Sequence, residues 1–381
     1  MATFQDVEIN LVDSCGRQTP ETKKWGDHNL PMWDPVKVPK AKIEAEIERL
    51  ASVAKPANGV RRVHFVHPRC TDGSKAFSPG VDVSLNVLLP GERTAPVRQN
   101  SNVVDFCIKG AGATIANGKI SRFKQYDLVT TPSMTVHEYV NDTNEVQVRL
   151  RYSNGALLEK LNIHYVDEEP PVYGRRGDDM TPVTANMRAD HRNPFGTFQL
   201  TGEGAWLAPY EQLVNPEPVN FQSRVWPWTD VKRELDKLAA LGANYKGRRL
   251  YMLWDPATGR ANGCNPSFFS TITVRPGGIT DRPHRHVSAA MNYFFGGRGH
   301  SIVQGKRYEW EAGDFMLTAP GWAIHSHSAD EGPVYEMTIQ DYAFCVNTDA
   351  LLWQEDMAGP ISLLGSHAGF ETNRKLVASA R

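Results

Sequence analysis

The sequence predicts an all-β chain: two copies of one antiparallel barrel or jelly roll, with a helical arm before the first and a helical linker between them. Three observations predict it. From about residue 80 onward, short strand-like runs end at Gly and Pro turns, as in VDVSLNVLL before the Pro-Gly at 90–91 and FFSTITV before RPGG at 275–278. One spacing relates the halves: Gly110 and Gly297, Gly112 and Gly299, Gly118 and Gly305, Asp127 and Asp314, and Pro96 and Pro283 are each 187 residues apart. Pro132 and Pro320 are 188 apart, as are His137 and His325, so one offset with a single slip holds over about forty positions. Helical periodicity falls only outside the two copies.

Taken in order, residues 1–75 form the arm. Its helix is AKIEAEIERLASVAK, with Ile43, Ile47 and Leu50 on one face. Residues 76–170 are the first barrel. Residues 171–245 are the linker, whose helix TDVKRELDKLAALG has Thr229 as N-cap, Val231, Leu235 and Leu238 as its apolar stripe, and Gly242 as its stop. Residues 246–381 are the second barrel. The glycine-rich GGRGH at 296–300 reads as a strand turn, since no helix follows it to make a phosphate loop.

A net charge of −1 gives no electrostatic reason to expect a nucleic acid or a membrane surface as partner. No apolar run is long enough to span a bilayer, and the first twenty residues lack the order of a secretion signal. The five cysteines are odd in number, scattered and never in a CxxC pair, which favours a reduced, cytoplasmic setting.

The chemistry is concentrated in PHRHVSAAMN. On a strand, His284 and His286 point to one face and Arg285 to the other. No carboxylate follows them closely. His325, in TAPGWAIHSH, lies thirty-nine residues after His286, within reach of a hairpin-rich barrel. His327, two further on, points the same way and either orients a ligand or moves a proton. His64 and His67 in RVHFVHPRC lack a third partner and read as ordinary strand-end residues.

GITDRPHRH, with Gly278 six residues before His284, resembles the first motif of the cupins. GDFMLTAPGWAIH, with Pro320 five before His325, resembles the second, and Gly297 stands at its expected place. The glutamate usual in the first motif is missing, its possible positions being Ala290 and Met291. Three histidines without the acid are similar to the gentisate 1,2-dioxygenase group, with its salicylate- and hydroxynaphthoate-cleaving relatives. WPWTDVKRELDKLAAL, RLYMLWDPATG and EMTIQDYAFCVNTDALLWQED resemble that group's linker, second-barrel entry and closing segment. The resemblance runs from about residue 60 onward. It implies a bicupin of two jelly-roll (double-stranded β-helix) barrels, Fe(2+) as cofactor, an aromatic acid and O2 as substrates, and a homo-oligomer, dimer or tetramer.

The departures matter as much. That group keeps its iron in the first barrel, in a segment of the form HRHxxxALRF. Here the segment is VRQNSNVVDF, with Val97 and Gln99 in place of histidines and Asp105 in place of the substrate-holding arginine. Only His137 survives. An apolar residue and a neutral amide do not replace imidazoles, so the expected metal ligands are His284, His286 and His325 in the second barrel. Three neutral ligands leave the full charge on the metal and favour a dianionic chelating substrate. Expected catalytic residues are His327, Asn292 (the counterpart of Asp105) and Asp341, with Gln304, Tyr293 and Trp322 as weaker candidates for the pocket wall. Two other readings stay open: an isomerase, lyase or hydrolase using Zn, Mn or Ni as Lewis acid, and a non-catalytic binding bicupin.

Overall fold

In a computed structural model, residues 32–170 and 221–366 carry the fold, apart from 242–244 and 246–247; otherwise only Cys15, Gly369 and scattered positions from 196 to 219 are described. Two antiparallel sheets repeat one plan. The first runs Arg224–Trp226, Leu128–Thr131, Val103–Lys109, Gln147–Ser153, Val81–Leu88, Arg61–Phe65. The second runs Val36–Val38, Phe315–Ala319, Ala290–Val303, His325–Gln340, Phe269–Arg275, Leu250–Met252. The equivalent strands begin at the spacing read from the glycines, Leu128 against Phe315 and Val103 against Ala290. This is the all-β bicupin architecture.

The repeat reaches further back than the glycines reveal. Strand Val36–Val38, Pro39 and helix Lys40–Ser52 match strand Arg224–Trp226, Pro227 and helix Trp228–Ala239 at a spacing of 188. The two segments are exchanged. The arm strand pairs with the second barrel, Val36 opposite Leu317, whereas the linker strand pairs with the first, Val225 opposite Val129. Each following helix packs on the other sheet, the arm helix on Val81–Leu88 and the linker helix on Phe269–Arg275. A repeated aspartate caps both. Trp228 N–H donates to Asp127 Oδ1 at 2.6 Å, and Lys40 N–H donates to Asp314 Oδ1 at 2.7 Å.

That cap corrects one expectation. Thr229 lies inside the helix and Pro227 is its N-cap, because the acceptor comes from the first barrel and not from the linker itself. The expected stop Gly242 lies outside the described residues. The copies are also not free of helices: Gly155–Lys160 and Tyr342–Asn347 each follow the last long strand of a barrel. GGRGH is not a turn either. It runs within the fourteen-residue strand Ala290–Val303, where shifts of register mark bulges. Gly297 sits there at φ +68°, and a Cβ would fall 2.5 Å from the Glu331 carbonyl oxygen.

One apolar core joins both barrels and both helices. Phe106 meets Tyr293 and Phe295 across the interface at 5.9 and 5.6 Å, and Phe77 stacks on Phe315 at 4.9 Å. Ile43, Leu50 and Leu235 bury the helix stripes in the same cluster. No described helix is long and apolar enough to cross a membrane.

Candidate metal centre

His284 and His325 face each other across an antiparallel bridge, and the short strand Arg285–His286 pairs with Trp353–Gln354 of the closing segment. This places three imidazoles in one spot of the second barrel. Their centroids are 4.3 Å (284–325), 4.9 Å (286–325) and 5.6 Å (284–286) apart, and a ligand atom from each lies within 4.8 Å of the others. All three side chains are buried.

Each ring is held by its Nδ1. His284 Nδ1–H donates to the Arg282 carbonyl at 3.2 Å, His286 to Ser288 O at 2.8 Å and His325 to Ala323 O at 2.9 Å. Those bonds fix the tautomer that leaves Nε2 as a bare lone pair. The Nε2 of His286 is buried without a partner, a costly arrangement unless something accepts the lone pair. Burial lowers all three pKa values, His325 to about 4 and the others well below the usual histidine range. In His284 and His286 the next cause is charge on His325. Three neutral imidazoles with converging lone pairs fit a divalent metal.

His327 is built differently. Its ring is 5.6 Å from that of His325, and its Nδ1 is 2.8 Å from Ser301 Oγ. Ser301 Oγ accepts from Trp310 Nε1–H at 2.9 Å, and His327 Nδ1 is the one acceptor found for its own proton among the described residues. Nε2 of His327 therefore carries the hydrogen. It is a donor beside the triad, whereas the triad nitrogens are acceptors. Its pKa lies well below the usual value, through burial first and then the charge of Arg275.

The other expected residues lie elsewhere. Asn292 belongs to a saturated network: Nδ2–H bonds go to Glu336 and to Thr338 Oγ1 (3.0 Å), and Oδ1 accepts from Thr318 at 2.5 Å. Both amide hydrogens are used, which leaves no donor for a substrate. Asp341 accepts from Ala289 N–H at 2.8 Å and so anchors the strand after His286; burial raises its pKa to about 6. Tyr293 is in the inter-barrel core and Gln304 is an exposed turn residue, so neither walls the site. Trp322 lies beneath Arg285, whose guanidinium is 4.4 Å from the ring centroid.

Sequence reasoning missed three features. Trp353 stacks on both His284 (5.4 Å) and His286 (4.7 Å) and closes one side of the triad. Ser288 Oγ bridges His286 Nδ1 and Gln340 Oε1, each at 3.0 Å. Arg275 pairs with the half-buried Asp281 at 2.7 Å and with the buried Glu336, so both acids are already engaged and do not compete as ligands. The alternation of strand residues could have flagged Arg275 and Glu336 as inward-facing. Another ligand-type group among the described residues, His300, Glu309 and Asp330, is on the surface, where Arg307 also pairs with both acids.

Buried neutral histidines make stability depend on pH. Their folded pKa values lie below the unfolded value of about 6.5, so their contribution is intact above that pH and is lost as pH falls towards the folded values. Each imidazole that charges only on unfolding costs about 1.4 kcal/mol per pH unit in that window. Thermal melts of the metal-free protein should show Tm dropping between pH 6.5 and 4.5; a flat profile would contradict this burial.

Comparison with known proteins agrees with the architecture. A family model described as "Cupin domain" matches residues 270–338. The chain is 26% identical to a gentisate 1,2-dioxygenase of Haloferax sp. over 336 residues, 85% of each chain. It is 23% identical to a 5-aminosalicylate 1,2-dioxygenase of Comamonas sp. over 77% of this chain and 74% of that one. A salicylate 1,2-dioxygenase of Pseudaminobacter salicylatoxidans has a similar structure, with a TM-score of 0.66 at 17% identity over 90% and 91% of the two chains.

Proposed function

We propose that this chain, which fits the bicupin group of ring-cleaving dioxygenases, cleaves the ring of a hydroxylated aromatic acid with O2, using Fe(2+) held by His284, His286 and His325. The observation that carries the reading is the set of three neutral imidazoles, which includes the orphaned Nε2 of His286, with no acid in the ligand cluster among the described residues. A ferrous ion held there supplies a redox-active, Lewis-acidic centre for the aromatic acid and O2. The residues of the chain do the rest. Nδ1 bonds to backbone carbonyls orient the ligands, and Trp353 screens one face of two of them from water. The ligands bring no negative charge, so an anionic substrate supplies it. His327 offers Nε2–H as a hydrogen-bond donor to oxygen atoms at the site.

A gentisate, salicylate, aminosalicylate or hydroxynaphthoate type of acid suits this set. Relatives named for such substrates support the reading, as do gentisate adducts of the salicylate 1,2-dioxygenase of Pseudoaminobacter salicylatoxidans. We place the protein in a reducing cytoplasm as a homo-oligomer, dimer or tetramer; none of Cys70, Cys107, Cys264 and Cys345 is in a disulfide.

The test is metal analysis of anaerobically purified protein together with oxygen uptake across that panel of acids. Stoichiometric iron, slow uptake alone and fast uptake with one of the acids are expected. Zinc, manganese or nickel in its place, with no uptake for any acid, would sink the proposal and favour Lewis-acid chemistry.

A further inference from the structure

A cavity of about 340 Å³ is lined by equivalent residues of both copies. Asn154 and Asp341 line it, as do Gly80 and Ser267, and Leu157 and Phe344; each pair is 187 residues apart. The same part of each barrel therefore faces one shared space. Its volume is that of a small-molecule site, about 300–1,000 Å³. Lys160 and Phe344, both exposed, stand on its solvent side.

The two copies furnish this space unequally. Asn154 and Asp341 each accept a backbone N–H on Oδ1 at 2.8 Å, from Asn102 and Ala289, which are again 187 apart. Beyond that bond they diverge. Asn154 Nδ2–H donates to Ser267 Oγ at 3.0 Å. The symmetric contact would join Asp341 Oδ2 to position 80, and position 80 is a glycine. A Cβ placed on Gly80 would stand 3.7 Å from that oxygen, an ordinary contact. Asp341 Oδ2 thus has no hydrogen-bond donor among the described residues. Lys160, the one cation on the wall among the described residues, does not supply it. Its Nζ donates to the Pro79 carbonyl at 2.7 Å and pairs with Asp72 at 3.3 Å. Enclosure raises the Asp341 pKa to about 6, so the carboxyl stays largely ionised above neutral pH. A carboxylate enclosed without a counter-charge favours a cation that also donates hydrogen bonds.

We propose that this cavity is a binding site for a small organic ammonium ion, with its N–H on Asp341 Oδ2 and its apolar body against Leu157 and Phe344. The ammonium stands in for the hydroxyl that Gly80 lacks and meets the unpaired charge. The site contains no residue of the metal triad, so it does not rest on the ring-cleavage reading.

Titration calorimetry of the full-length, metal-loaded protein with benzylamine at low salt should give one site per chain. Benzyl alcohol, of similar shape without the charge, should bind at least about tenfold more weakly. Gly80→Ser reproduces the Ser267 arrangement, and the backbone there is not left-handed, so a side chain is accommodated. That variant should bind benzylamine about 10- to 100-fold more weakly while melting no lower than the parent. Asp341→Asn, which copies Asn154, should lose affinity in the same direction and covers a failure of Gly80→Ser to fold. Binding should persist in His286→Ala, which separates it from ligation of the metal by the amine. No heat, equal affinity for benzyl alcohol, unchanged affinity in a folded variant of Gly80 or Asp341, or heat lost in His286→Ala would overturn the proposal.

Discussion

His286→Ala gives a folded protein without bound iron and without substrate-dependent oxygen uptake, whereas His137→Ala keeps both. His286 is fully buried, its Nδ1 is fixed by Ser288 and its Nε2 has no protein partner. Two remaining imidazoles do not hold the ion, and turnover falls by at least about a thousandfold. His137 is a strict internal control. It stands where His325 stands in the other copy, with Nδ1 on the Thr135 carbonyl at 3.0 Å and Nε2 buried and unpartnered. Its bridge partner is Val97, where His325 has His284, so it has nothing with which to share a metal. His327→Ala completes the series: iron stays, and turnover drops by about 10²- to 10⁴-fold if its donor acts on the reacting oxygens. Metal analysis and oxygen uptake on the three variants decide the matter. Iron lost from His137→Ala and kept in His286→Ala would move the centre to the first barrel.

Asp105→Ala should be the most destabilising single change in the first barrel. This carboxylate is almost completely buried and is the anion shared by Arg149, Arg151 and Tyr139, with the Arg149 guanidinium 3.5 Å above the Tyr139 ring. Removing it leaves two enclosed cations without a counter-charge, a loss of about 3–5 kcal/mol. The expected fall in Tm is about 5–10 °C. Acid should act in the same direction. Burial opposes the charge on Asp105, but Arg151 and Arg149 outweigh it and hold its pKa below the usual carboxylate value. Its stabilisation is therefore present above that usual value and disappears as pH falls through the lowered one. An unchanged melting point for Asp105→Ala would show that the guanidiniums find other partners.

The duplication was legible because glycines at turns and bulges resist drift in a way that exposed strand residues do not. The spacing of 187 came from Gly110, Gly112 and Gly118, and it placed the strands. The arm and linker escaped because their repeat rests on Pro39 and Pro227, Leu50 and Leu238, with few other identities. The triad was legible too, since alternation along a strand puts His284 and His286 on one face. What the sequence could not display was which polar residues satisfy each other. Asn292 had the right position for a substrate contact, yet Glu336, Thr318 and Thr338 consume its amide.

The exchange of strands Val36–Val38 and Arg224–Trp226 gives the molecule the topology of a swapped homodimer written into one polypeptide. Neither half is a self-sufficient module. A protease cut that released the carboxy-terminal half would strip the Phe315–Ala319 edge of its neighbour and leave open backbone amides and carbonyls. The amino-terminal half thus carries the strand that seals an edge of its twin.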